Sequence, residues 1–334
     1  MNDVLSLVAD KLNNCGALFS AVSVEGNTYV VFALPYVQLE APPVGYAFVD
    51  SYYVASNRAY FLRKELASSL EEAGFAAFEC KHSYKHLAAA SGLGFWLRNT
   101  LVANEKFGSR MALEIVGIEG VFAKEITLEE LYKTPEIAEK CVNCTVCRKL
   151  CPRNCIGENG GFDKDKCTRH GQDNGFFGDE EAATAAGTNL WGCDICQRFC
   201  PYNKHLETRE MTEKERELFR LDNLFEAFWA GKKGCEPYRD ILGGNYLRPT
   251  RLLTLTLNAM ANSVNKNDYI LHAEKALSHP DERVKTAAKR VLPSAELSAL
   301  YTPPQSPAVT APPQGEAVRN NAFPCEGKVS RSDG

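Results

Sequence analysis

The sequence predicts three parts in order: an α/β N-terminal domain over residues 1–135, a cysteine-organised insert over 136–205, and a C-terminal α-helical, HEAT-like segment over 206–300. Three observations carry this division. Strand-length apolar runs alternate with a helix marked at both ends in the first part. Nine of the thirteen cysteines then fall between positions 141 and 200. Apolar side chains return at helical spacing from 249 to 292.

In the N-terminal part, residues 28–34 form a continuous apolar run of strand length, stopped by Pro35. Residues 57–73 read as a helix, with Ser56 as N-cap, Leu62, Leu66 and Leu70 spaced by four, and Gly74 at the C′ position. Residues 75–79 and 111–118 supply further strands. Strands separated by helices predict a sheet that is at least partly parallel.

Periodicity nearly vanishes between 141 and 203, as expected where metal rather than a core organises the chain. Beyond it, residues 211–229 read as a connecting helix and 249–262, 267–278 and 281–292 as three more. The last carries Val284, Ala287, Ala288, Val291 and Leu292 on one stripe. A single helix pair of this kind must lean on a neighbour, here the cysteine segment. From Thr302 onward six prolines in 33 residues and few apolar side chains predict a disordered tail, 301–334, which contains Cys325.

Net charge is −4 and the pI near 6.0, so no global basic character points to nucleic acid. Residues 244–292 nevertheless hold 8 Lys/Arg against 4 Asp/Glu. Arg248, Arg251, Lys285, Lys289 and Arg290 are the candidates there for phosphate contact, against the alternative of a solvated helix face. The N-terminus lacks a basic start followed by an apolar run, and no stretch approaches the ~18 apolar residues of a membrane span. A cytoplasmic protein is expected, and in that reducing compartment the cysteine spacing argues for metal over disulfides.

Cys141-x2-Cys144-x2-Cys147-x3-Cys151-Pro152 has the spacing that wraps three thiolates around one [4Fe–4S] cube and sends the fourth to a second. Cys193-x2-Cys196-x3-Cys200-Pro201 is a second, incomplete motif. Cys167 supplies its first ligand, displaced upstream by 25 residues. Crossed pairing gives one cluster on Cys141, Cys144, Cys147 and Cys200, and another on Cys151, Cys167, Cys193 and Cys196. Two zinc sites would also use eight cysteines, but in separate knuckles rather than triplets ending in Cys-Pro. Cys15, Cys80, Cys155 and Cys235 read as small buried apolar residues.

These motifs, in this order, resemble the epoxyqueuosine reductases, cobalamin-dependent iron–sulfur enzymes of tRNA modification. Ser91, Gly92, Leu93, Gly94, Phe95, Trp96, Leu97, Arg98, Asn99, Thr100 and Leu101 are similar to that family's Ala-Gly-Leu-Gly-Trp-x-Gly-Lys-Asn-Thr-Leu loop. The cysteine array matches throughout, including Gly192-Cys-Asp-Ile-Cys-Gln-Arg-Phe-Cys-Pro-Tyr-Asn203, and residues 245–292 resemble the start of the family's C-terminal repeats. The resemblance implies a base-off cobalamin over the sheet and beside one cluster, with Ser91, Gly92, Leu93, Gly94, Arg98, Asn99 and Thr100 near it. It further implies single electrons from a low-potential donor such as ferredoxin or flavodoxin, tRNA as substrate, and conversion of epoxyqueuosine to queuosine. Leu97-Arg98 departs from the family's Gly-Lys. The family's proton-donating aspartate also falls here on Phe78, so Glu79, or His82 among Lys81, Tyr84 and His86, is the candidate donor. Two other readings stay open: a corrinoid reductase of another substrate, and a ferredoxin-like electron carrier without corrin.

Overall fold

The computed structural model describes residues 2–158 and 161–293, which pack as one compact unit. The tail at 301–334, with Cys325, lies outside the described residues.

Five strands form the main sheet: β1 (Leu18–Val24), β2 (Asn27–Pro35), β3 (Ala77–Glu79), β4 (Met111–Glu119) and β5 (Glu125–Ile126), in the order β3-β4-β2-β1-β5. The sheet is antiparallel except for the two-residue pairing of β1 with β5, so the partly parallel sheet that was expected is met by that pairing alone. The cause is local. Glu25 and Gly26 both take positive φ (50° and 76°), the signature of a tight hairpin turn, so β1 returns directly into β2.

Both faces of the sheet are covered, which is why β2 reads as unbroken apolar sequence. On one face lie α1 (Asn2–Asn13) and α2 (Tyr52–Glu72), whose Val8, Leu12, Leu62, Leu66 and Leu70 pack on Val30, Phe32, Val116 and Ile118. On the other, α3 (Tyr84–Ala90) and the hairpin after it bring Leu87, Leu93 and Val102 against Val22, Val31 and Ile115. Helix α2 begins five residues before the expected start. Ser56 is therefore inside it, while Gly74 (φ 89°) ends it as expected.

The loop from 36 to 50 sews the later parts onto this domain. Gln38–Leu39 pairs with Thr208–Arg209, Phe48–Val49 with Asn189–Trp191, and Tyr46 bridges to Arg220. The C-terminal region is helical. Residues 211–229 form two helices, Glu213–Phe219 and Leu221–Trp229, broken at Arg220, whose ψ of 130° is extended. Helix α4 (Pro249–Asn262) packs on α5 (Glu282–Val291), with Ile270–Ala276 between them in sequence. Val284, Ala287, Ala288, Val291 and Leu292 are all buried, as the stripe requires. Helix α4 leans on the cysteine segment: Asn258 Nδ2 donates to the carbonyl of Gly175, and Asn262 Nδ2 to those of Ala183 and Gly187. Among the described residues no helix is long and apolar enough to cross a membrane.

Candidate metal centre

Cys141 closes a single 3-10 turn, and Cys147 sits on the short helix Val146–Leu150. Cys151 ends that helix in an extended conformation, and Pro152 prevents its continuation. The chain thus turns away after the third thiol, as the Cys-Pro step implies. Cys141, Cys144, Cys147 and Cys200 line one enclosed pocket with Leu97, Arg98 and Tyr202. Cys200 thereby joins the first motif across more than fifty residues of sequence.

A second group forms alongside. Cys151, Cys167 and Cys196 pack with Cys147, Cys155 and Ile156, and Cys193 lies within electrostatic reach of Cys167 and Cys196. The 25-residue displacement of Cys167 is closed by one side chain. The buried amide of Gln172 donates to the carbonyl of Gly192 at 3.2 Å and accepts from its N–H at 2.8 Å, clamping the turn after Cys167 to the residue before Cys193. Among the described residues no three Cys, His, Asp or Glu side chains converge as a single bound ion needs.

The residues expected to line a corrin instead grip the cysteine segment. The Arg98 guanidinium donates to the carbonyls of Cys141 (2.8 and 3.2 Å), Val142 (3.0 Å) and Glu158. Asn99 Nδ2 donates to the Cys196 carbonyl, so adjacent residues hold both cysteine groups. Leu97 packs on Cys141, Cys200 and Tyr202. Lys85 Nζ fixes the loop by donating to the carbonyl of Thr100, which sits at φ 61°. Gly92 and Gly94 have backbone reasons of their own. Gly92 takes φ 78° directly after α3, and a Cβ on Gly94 would lie 2.5 Å from the Ala103 carbonyl across the hairpin. Ser91 caps α3, its carbonyl accepting from the Ser20 hydroxyl, and Leu93 is buried in the core.

Two cavities flank the start of α2. One of about 610 Å³ is lined by Tyr36, Val54, Arg58, Phe107, Arg110 and Arg209. Its lining joins apolar side chains with Glu207 and three arginines, of which Arg110 is buried and donates to the Glu207 carbonyl and Arg209 pairs with Glu215 at 2.7 Å; His205, five residues after Cys200, borders it. The other, about 450 Å³, is lined by Tyr53, Tyr60, Phe61, Glu114, Arg239 and Tyr246.

Glu79 and His82 border neither. Strand register puts the Phe78 ring over Gly117 and turns Glu79 to the opposite face, where it pairs with Arg63 at 3.2 Å and is 83% exposed. His82 Nδ1 lies 3.1 Å from the Tyr132 hydroxyl and its ring meets the edge of Tyr29. Of the two acids that pair with Arg63, Glu114 is the one that borders a cavity; it is only 13% exposed and lies 3.2 Å from Arg63. Burial pushes its carboxyl up, and Arg63 and the Tyr84 hydroxyl oppose that shift. It was missed in the sequence, where the one signal available was an acid in the middle of an otherwise apolar strand.

Four further expectations need correction. Cys15 is exposed, not buried. Cys155 is buried but among thiols rather than in an apolar core, with its Sγ 3.2 Å from that of Cys151. Arg251 lies over the Trp191 ring and donates to the Tyr246 carbonyl, and Arg290 donates to Asn258, Asn262 and Thr184. Those two cations are built into the fold.

Residues 140–203 match the family model of a 4Fe-4S double cluster binding domain. The chain is 28% identical over 170 residues to an epoxyqueuosine reductase from Aliivibrio fischeri, covering 50% of this chain and 43% of the relative. It therefore spans less than half the length of that curated relative. A solved epoxyqueuosine reductase from Bacillus subtilis superimposes with a TM-score of 0.67 at 16% identity, covering 89% of this chain and 94% of that one. A second, solved with an epoxyqueuosine-modified tRNA-Tyr stem loop, gives 0.62 at 18%, covering 82% and 76%. The resemblance read from the sequence is borne out, and the fold is shared with these enzymes.

Proposed function

We propose that this chain is an iron–sulfur reductase of the epoxyqueuosine type, taking single electrons through two [4Fe–4S] clusters to reduce epoxyqueuosine to queuosine in tRNA. The observation that carries it is the pair of cysteine groups docked, through Arg98 and Asn99, onto an α/β domain whose larger cavity is bordered by His205, five residues after Cys200. Cys141, Cys144, Cys147 and Cys200 would hold one cluster, and Cys151, Cys167, Cys193 and Cys196 the other.

The larger cavity would take a cobalamin, with Tyr36, Val54 and Phe107 against the corrin and the exposed Arg58 for its phosphate tail. Residues 91–100 would then act by fixing the clusters beside it rather than by touching its face. Cobalamin, when bound, would supply the reduced corrin that removes the epoxide oxygen. Reduction takes two electrons and two protons and releases water. A low-potential ferredoxin or flavodoxin is the electron donor this chemistry asks for. Glu114, with the Tyr84 hydroxyl beside it, ranks ahead of Glu79 and His82 as a proton donor by its burial; it borders the second cavity, so protonation of the departing oxygen by it requires the substrate to reach past the start of α2 from the corrin. For tRNA phosphates, Arg248, Lys285 and Lys289 stay candidates, Lys285 from within a pair with Glu282 at 2.6 Å, while Arg251 and Arg290 serve the fold.

Anaerobic purification with cobalamin supplied, followed by incubation with epoxyqueuosine tRNA and a strong reductant, tests the proposal. Formation of queuosine supports it. Bound corrin and clusters without queuosine would move the reading to another substrate, and clusters without corrin to an electron carrier.

A further inference from the structure

The second cysteine group holds one thiol more than a cubane can use. Cys151, Cys167, Cys193 and Cys196 fill four coordination positions, yet Cys155 packs with them at 5% exposure. Its Sγ lies 3.2 Å from the Cys151 sulfur, its backbone N–H donates to that sulfur at 3.4 Å, and Cys167 packs in the same cluster. The intervening turn is fixed. Asn154 takes φ 50°, and Arg153 grips Asp179 with both carboxylate oxygens at 2.9 and 3.0 Å. The Cys155 carbonyl is held in turn by the N–H of Asp163. Rigid backbone on both sides means that Cys155 cannot easily withdraw, and a buried S–H in this position has only ligand sulfurs to donate to.

We infer that Cys155 is a reserve ligand of the second cluster: an S–H donor to the ligand sulfurs at rest, and the replacement for Cys151 on its iron when that bond is lost. The exchange balances without redox change. The iron–sulfur bond to Cys151 breaks, the bond to Cys155 forms, and the Cys155 proton passes to the Cys151 sulfur. Iron-bound thiolates that accept hydrogen bonds carry less charge, and the cluster's potential rises accordingly. The inference rests on the two-cluster reading of the preceding section.

The test compares Cys151→Ala, Cys155→Ala, the double variant and Cys200→Ala, each purified anaerobically as the full chain. Wild type should hold about eight irons. Cys151→Ala should keep about the same number and show no three-iron EPR signal, because Cys155 takes the vacant position. The double variant should fall to about seven irons or fewer, with a three-iron signal or an empty second site, and Cys200→Ala, lacking a spare thiol, should lose iron from the first. Cys155→Ala should keep both clusters and move the second to a more negative potential. A Cys151→Ala protein as iron-poor as the double variant, or a Cys155→Ala protein with unchanged potential, would overturn the inference. Wild-type protein without clusters would instead overturn the reading beneath it, so the two failures are distinguishable.

Discussion

Arg63 stands between two acids, Glu79 on β3 and Glu114 on β4, at 3.2 Å from each. Only one of the two faces a cavity. Pairing of Glu79 with Val116 and of Glu114 with Phe32 puts both acids on the α2 side of the sheet, but β3 is the exposed edge and β4 is interior. If this site reduces an epoxide, Glu114→Gln should slow turnover by a factor of order 10² to 10⁴ while leaving iron content and tRNA affinity unchanged. Glu79→Gln should change turnover by less than about threefold, because a solvated edge acid donates no better than water. Single-turnover assays on epoxyqueuosine tRNA read both, and a large loss at Glu79 with none at Glu114 would reverse the assignment. At this scale most of the cysteines were legible because each motif keeps its spacing within one short stretch, and the structure brings the expected residues together. Glu114 was not, because its partner Arg63 is distant in sequence and its cavity is completed by Tyr246 from the far end of the chain.

Elements were legible where one short stretch carries both pattern and boundary. Helix α4 has the expected bounds because Pro249 supplies its first turn and its apolar spacing runs to the end. The β1–β2 hairpin was missed because Glu25 replaces the Asn or Asp that usually announces such a turn. The break at Arg220 leaves no composition signal, and only the bridge to Tyr46 marks it. Helix α5 offers a quantitative test. Its N-cap Asp281 accepts from the Arg283 N–H at 2.9 Å and pairs with the Arg283 guanidinium, which holds the carboxyl down to about 2. A depressed carboxyl contributes stability above its unfolded value near 3.8 and loses it as pH falls toward about 2. Asp281→Ala should therefore cost about 1 kcal/mol, constant from about pH 8 to pH 5. Urea unfolding at several pH values checks this, and a difference that fades between pH 7 and pH 5 would contradict it.

For the molecule as a whole, the organisation is a sheet domain whose 36–50 loop and 91–100 loop hold everything that follows. Three parts were legible in order, but not that they would pack as one unit. The stitching uses two-residue strands and single side chains such as Gln172, Asn203 and Arg98, none of which has a sequence period. Asn203 shows the point: its Oδ1 accepts from the Ser109 N–H at 2.8 Å and its Nδ2 donates to the Gln197 carbonyl, locking the end of the second motif to β4's approach. Loss of cluster ligands should accordingly loosen the C-terminal helices too, since α4 rests on residues 175–187. Hydrogen exchange in α4 should rise in Cys167→Ala protein, and unchanged protection there would mean that the helices fold independently of the metal centre. The most direct measurement of the central claim is iron and acid-labile sulfide per chain, with EPR of the reduced protein after anaerobic reconstitution. About eight of each, with the signal of two neighbouring cubanes, is the predicted result; about two zinc ions per chain and no visible absorption would contradict it.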